Sequence, residues 1–312
     1  MGAEVVRALC AIALALAFPG VASALQAGDH AIILGGSADS RAYILHVPSK
    51  LEAKPALVLN FHGGGGNAPA HQKYVRMDPV ADREGFLVAY PEGTGPFDGK
   101  FETWNAGGCC GTAVRDNVDD VGFVKRLLAD IARRQPYDPA RVYATGLSNG
   151  AMMTYRLAAE LSDRIAAIAP VAGSIAVEHF PTALPVPVLQ IHSIDDPRAL
   201  YAGGLGPPFP MTNSRVMHLA VETGVGEWAR FNGCGTPMEQ RDRKEAQGHT
   251  ATLYVYPRCR AEVLLWKLTG AGHVWPGGEP DYFPRLLGAG TTVIDANEEI
   301  WRFFARHRLP QK

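Results

Sequence analysis

The stretch that decides the fold is "RVYATGLSNGAMMTYRLA", residues 141–158. An apolar, β-branched run meets a Gly-Leu-Ser-Asn-Gly turn, and a second apolar run with helical spacing follows. Gly146 and Gly150 flank Ser148 at the spacing G-x-S-x-G, a pattern that makes mechanical sense where a strand turns sharply into a helix. Such a turn holds its serine in a strained conformation and aims the hydroxyl at solvent. Close packing of strand on helix leaves no room for side chains at the two flanking positions, hence glycine. The N–H of Asn149 then stands at the positive end of the helix, where a developing oxyanion is stabilised. Ser148 is the candidate nucleophile.

The surrounding pattern agrees. Short apolar runs recur at 42–47, 56–61, 86–90, 141–145, 165–171, 187–192, 251–256 and 262–268. Several are too uniformly apolar to be half-exposed and read as buried parallel strands. Helices are expected over Asp119–Arg134, Asn149–Leu161 and Ala296–Arg306. Strand and helix in alternation predict an α/β fold, a mostly parallel sheet with helices on both faces. Without repeats or a low-complexity linker, residues 25–312 are expected to form a single catalytic domain.

The 312 residues are 47% hydrophobic and 20% charged, a globular composition. Thirty Lys plus Arg against 31 Asp plus Glu give a net charge of −1, and no basic stripe favours nucleic acid. Residues 1–24 carry Arg7, the run "ALCAIALALAF" and the small residues Ala22–Ala24. The run is too short to span a bilayer, so a cleaved secretory signal and an exported protein, free of the membrane after cleavage, are expected. Four cysteines then remain, Cys109, Cys110, Cys234 and Cys259. An even number in an exported chain suggests two disulfides, with buried free thiols as the alternative.

In open parallel sheets functional groups collect where strands end at their carboxyl edge. Five runs end in suggestive segments: "HGGGG" (62–66), "PEGTG" (91–95), "GLSNG" (146–150), "SIDD" (193–196) and "TGAGH" (269–273). A serine hydroxyl needs a base to take its proton, and the base needs an orienting carboxylate. Asp195 or Asp196 and then His273 follow Ser148 in that order. His192 lies inside a strand and reads as a packed core residue. His62 reads as orienting the glycine loop, with proton transfer as its sharper alternative. His71 and His218 have no supporting context. "HGGGGN" lets backbone N–H groups approach a ligand closely. No phosphate loop, dinucleotide fingerprint or metal-ligand spacing is present, so neither cofactor nor metal is expected. Trp104 and Trp275, on loops at the same edge, are candidates to line an acyl pocket or to cover the core.

The segments "FHGGGGN", "TWNAGGCCG", "VDDVGFV", "GLSNGAMMTYRLA", "IHSIDDPRALYAGG", "WARFNGC", "GAGHVWPGG" and "TTVIDANEEIWRFF" resemble, in order, the exported polyhydroxybutyrate depolymerase/feruloyl esterase-like family of α/β-hydrolases. The resemblance implies hydrolysis of carboxylic esters through an acyl-serine intermediate. It implies Ser148 as nucleophile, His273 as base, Asp196 as orienting acid, and backbone N–H of Gly64 and Asn149 as oxyanion donors. "SIDDPRAL" departs from the family's usual Gly-Thr-x-Asp-Pro-Val-Val-Pro, and residues 203–215 are atypical in a way that would shape the substrate cleft. The pairing Cys234–Cys259 matches the resemblance, and Cys109–Cys110 is expected to form a vicinal bridge. Short-chain, hydroxyalkanoate or hydroxycinnamoyl esters are the expected substrates, with feruloyl or acetyl groups on plant polysaccharide as the nearest alternative. With the mature chain spent on catalysis, crystalline polymer is expected to be a poor substrate. A serine peptidase of the same fold and a catalytically silent binding protein are the rivals.

Overall fold

The computed structural model describes residues 24–36, 40–97, 99–177, 184–209, 213–280 and 282–310. The expected secretory signal therefore lies almost wholly outside the described residues. Among these, no helix is long and apolar enough to cross a membrane. Twelve strands follow in chain order: β1 (Gly28–Leu34), β2 (Arg41–Val47), β3 (Leu57–Phe61), β4 (Leu87–Pro91), β5 (Val142–Leu147), β6 (Ala167–Val171), β7 (Val188–Ser193), β8 (Gly204–Leu205), β9 (Met217–His218), β10 (Glu239–Ala246), β11 (His249–Val255) and β12 (Val263–Thr269). The helices are α1 (Ala68–Val75), α2 (Asp78–Glu84), α3 (Gly111–Arg115), α4 (Asp120–Arg134), α5 (Asn149–Glu160), α6 (Val221–Phe231), α7 (Pro284–Leu287) and α8 (Ala296–Phe304).

Ten strands form one sheet in the order β1-β2-β4-β3-β5-β6-β7-β12-β11-β10, and β8 pairs only with β9. From β4 through β12 the pairing is parallel. The outer strands on both sides are antiparallel. Alternation of side chains along each strand divides the interior into two cores. Leu57, Leu59 and Phe61 of β3 face the core that holds α4, α5 and α6. Val58 faces the one that holds α1, α2 and α8. In β12, Val263 and Leu265 take the first side, while Leu264, Trp266 and Leu268 take the second. Both faces are thus covered, which is why the central strands read as unbroken apolar runs.

Local chemistry sets the helix starts. Asp119 caps α4 by accepting from Gly122 N–H at 2.7 Å, and Asn67 caps α1 by accepting from Ala70 N–H at 2.9 Å. Two of the apolar runs are not parallel strands: β2, from the run at 42–47, and β11, from that at 251–256, are each antiparallel to both neighbours.

Cys234, just past α6, is bridged to Cys259, beyond β11. The Sγ atoms of Cys109 and Cys110 are placed together as a vicinal pair. Closing a loop of 25 residues restricts the unfolded chain; replacing both Cys234 and Cys259 by serine is expected to lower unfolding free energy by roughly 3 kcal/mol. Urea denaturation of the oxidised protein and the double variant measures it.

Candidate active site

Ser148 sits between β5 and α5 with φ 58° and ψ −119°, a conformation L-residues rarely adopt. Its own N–H donates to Val171 O at 2.9 Å, and its carbonyl accepts from Met152 N–H at 3.0 Å, so both sides of the turn are pinned. The flanking glycines have a steric cause. A Cβ at Gly146 would lie 2.7 Å from Phe61 O, and one at Gly150 would overlap the same oxygen and His62 O. Gly150→Ala is therefore expected to cost about 2–4 kcal/mol of stability. Urea titration against wild type gives the value, and a loss below 0.5 kcal/mol, about the ordinary surface range, would contradict this packing.

Asp196 and His273 meet across the carboxyl ends of β7 and β12. The His273 ring nitrogen Nδ1 lies 2.7 Å from Asp196 Oδ2. Asp196 Oδ1 accepts from the backbone N–H of Arg198 at 2.7 Å and of Ala199 at 2.8 Å. His192 Nε2 stands 3.3 Å from Asp196 Oδ2 and 2.8 Å from Ala199 O. Burial alone would raise the Asp196 carboxyl; the His273 charge and the hydrogen bonds from His192 and His273 outweigh it and hold it well below the usual carboxylate range. Asp195 is turned elsewhere. It is exposed, and its Oδ2 accepts from Gly270 N–H at 2.7 Å.

The glycine loop is braced from behind. His62 is buried; its Nδ1 lies 2.8 Å from Gly63 O, and Gly93 N–H donates to its Nε2 at 3.0 Å. This pair of partners fixes Nδ1 as the protonated nitrogen. Burial pushes the ring down to about 4, so His62 is neutral at working pH and holds the loop. Gly65 N–H donates to Glu102 O at 2.7 Å. Burial and the neighbouring Glu92 carboxylate push Glu102 up to about 8. Gly64 is set against Asn149, where a Cβ on the glycine would lie 3.6 Å from Asn149 Cβ. Among the described residues, neither the Gly64 nor the Asn149 amide N–H has a hydrogen-bond partner. The Asn149 side chain is used structurally, bonding Trp104 N–H at 2.7 Å and Trp104 O at 3.0 Å.

Ser148, His273 and Gly63 through Gly66 line one cavity of about 630 Å³. Its other walls include Phe101, Phe209, Tyr282 and Phe283. Pro207, Phe209 and Ser214 bring the atypical 203–215 stretch into that lining, while residues 210–212 lie outside the described residues. Two expectations are corrected. Trp104 and Trp275 do not line the cavity; both are fully buried. The Trp104 indole N–H donates to His62 O at 2.9 Å, and that of Trp275 to Asn297 Oδ1 at 3.1 Å. Each ring supports the wall from within the core. Sequence reading dismissed His71 and His218, yet both contribute to the lining; His71 is carried there by α1, which starts directly after the glycine loop, while His218 reaches it only through the tertiary fold.

Away from the cavity, the fold brings ligand atoms of Asp29, His46 and Asp78 within 4.8 Å of one another. No sequence spacing announced this cluster. Its groups are already engaged: His46 Nδ1 lies 2.7 Å from Asp29 Oδ1, and Tyr90 and Gln72 donate to Asp78 at 2.6 and 2.9 Å.

A mostly parallel sheet covered on both faces, with a serine at a strained strand-to-helix turn and a buried Asp–His pair beside it, defines an α/β-hydrolase. The acetyl xylan esterase from Aspergillus awamori has the same fold (TM-score 0.61, 15% identity, 89% of this chain and 99% of that one). The family model described as "Esterase PHB depolymerase" matches residues 39–206. NocK of Nocardia uniformis subsp. tsuyamanensis, an esterase by name, is 32% identical over 296 residues, 86% of this chain and 79% of its own. Feruloyl esterase B of Piromyces equi is 29% identical over 248 residues, 77% of this chain, which spans only 44% of that protein. The chain belongs to the PHB depolymerase esterase family and is a carboxylic ester hydrolase.

Proposed function

We propose that Ser148, His273 and Asp196 act as nucleophile, base and orienting acid on esters of short-chain, hydroxyalkanoate or hydroxycinnamoyl acids. The observation that carries this reading is the shared cavity: Ser148 at its strained turn and His273, paired at 2.7 Å with Asp196, line the same chamber. Asp196 occupies Nδ1 and leaves Nε2 as the base. Ser148 Oγ attacks the ester carbonyl carbon as His273 takes its proton. The negative oxygen of the tetrahedral intermediate is received by the N–H groups of Gly64 and Asn149. Collapse breaks the bond to the alcohol oxygen, which leaves with the proton from His273. Water, deprotonated by His273, then attacks the acyl carbon and releases the acid with Ser148 restored.

The aromatic walls of Phe101, Phe209, Tyr282 and Phe283 suit a short or flat acyl group better than a long flexible one. The family's name favours hydroxyalkanoate esters, and the Piromyces relative's name keeps feruloyl esters beside them. The leader-like composition of residues 1–24 supports export, and strands drawn from residue 28 to residue 269 into one sheet support a single catalytic unit. The test is kcat/KM across p-nitrophenyl acetate, butyrate and palmitate, methyl ferulate, soluble 3-hydroxybutyrate oligomers and a peptide anilide. Butyrate, ferulate or the oligomers are expected to exceed palmitate by tenfold or more. Cleavage of the anilide at a comparable kcat/KM would turn the assignment toward a peptidase.

A further inference from the structure

The cavity's charge is lopsided. Among its described lining residues Arg198 carries the only permanent charge, and no aspartate or glutamate lines it. A guanidinium cannot shed its proton at working pH, and its planar fork matches a carboxylate. Arg198 is partly buried, and one corner of the fork, Nη2, donates to Pro208 O at 3.0 Å. Its face stands 6.0 Å from the Phe209 ring, which also lines the cavity. Among the described residues no carboxylate lies within ion-pairing distance of it, whereas most other arginines on this surface are paired. Its main-chain N–H is bonded to Asp196 Oδ1 at 2.7 Å, so the residue is registered directly against the His273 partner. Beside it stands His218, nine-tenths buried and lining the same cavity. Its ring bonds the Arg198 carbonyl, and its Nδ1 has no partner. The Arg198 fork is thus the polar end of an otherwise apolar-walled chamber, and the His218 ring, bonded to its carbonyl, holds its backbone in place.

We propose that Arg198 is a specificity residue that reads a free carboxylate on the substrate, so that the preferred ester bears an acid group in its acyl or alcohol half. The proposal rests on the esterase reading of the same cavity. It makes soluble oligoesters of hydroxy acids, which keep a terminal carboxylate after every cut, better substrates than uncharged esters of equal length. It also places the enzyme after a reaction that fragments a larger polyester, because such a step generates the carboxylate that Arg198 reads.

Two matched pairs test it. One sets p-nitrophenyl hemiglutarate against p-nitrophenyl pentanoate, with the charge in the acyl half. The other sets the linear 3-hydroxybutyrate dimer against its methyl ester, with the charge in the alcohol half. In the pair that matches, wild type is expected to favour the acid, with a KM for the acid that rises with salt. Arg198→Gln is expected to lower the acid-to-neutral ratio of kcat/KM at least tenfold, chiefly through KM, and Arg198→Lys to recover part of it. If Arg198 merely braces the 203–209 segment, both members of each pair move together and the ratios hold; that result overturns the proposal and leaves the esterase intact. Hydrolysis that is absent for all four esters, or unmoved by Ser148→Ala, overturns the esterase reading itself and the proposal with it.

Discussion

Ser148→Ala is expected to lower kcat for ester hydrolysis by about 10⁴-fold or more, with the fold unchanged. The substitution removes one oxygen and nothing else. The turn is held by main-chain bonds from Ser148 N–H to Val171 O and from Met152 N–H to Ser148 O, which alanine keeps. The fit at Gly146 and Gly150 is also untouched. Without Oγ no acyl-enzyme forms, and what remains is the rate that the oxyanion donors and substrate binding give to direct attack by water. Because nucleophile and base act as a unit, Ser148→Ala combined with His273→Ala is expected to be little worse than either alone. Active-site titration, single-turnover kinetics and urea unfolding on the same preparations separate lost chemistry from lost folding. A variant retaining a tenth of wild-type kcat would remove Ser148 from the mechanism.

The adjacent aspartates give the second large effect. Asp196→Asn is expected to reduce kcat by about 10³–10⁴-fold, while Asp195→Asn stays within a few-fold of wild type. Asp196 Oδ2 faces His273 Nδ1 at 2.7 Å, and an amide there either turns its NH₂ toward the imidazole or favours the wrong tautomer. Among the described residues the Asp195 carboxylate accepts from the Gly270 N–H and not from His273. The same geometry fixes a pH dependence. A carboxyl held below its ordinary value contributes stability that is full above the unfolded carboxylate value, about 4, and is lost as pH falls from there toward its folded value. Asp196 therefore stays ionised over the whole range in which the rate would be measured, and its loss of charge contributes no limb to that profile. If Asp195→Asn is the crippled variant, the orienting acid is misassigned by one residue.

Much of this was legible in the sequence because it is written locally. A turn that demands glycine at 146 and 150, and strands buried on both faces, leave marks within a few residues. What escaped was long-range or unsigned. β10 reads "EQRDRKEA" and was missed, since an exposed edge strand needs no apolar alternation. Trp104 and Trp275 could not be divided between acyl pocket and core, and the structure puts both in the core. A tryptophan on a loop near the site looks the same whether its indole N–H finds substrate, His62 O or Asn297, and only the fold shows which. Arg198 was visible as a departure within "SIDDPRAL", but its place in the cavity depends on a wall to which Pro207, Phe209, Ser214, Val216 and His218 contribute.

The outermost strand has a consequence for the protein in solution. Glu239, Arg241, Asp242, Arg243, Lys244 and Glu245 fill most of β10, and its pairing with β11 slips between Gln240 and Asp242. A second chain seeking to extend the sheet there would have to match alternating charges along a kinked ladder while stripping water from them. The opposite border, β1, is apolar at Ala31, Ile32, Ile33 and Leu34, with Ile33 71% exposed. Among the described residues the two borders are thus unequal in stickiness, and sheet extension through β1 alone would join two copies in a closed pair and build no fibre.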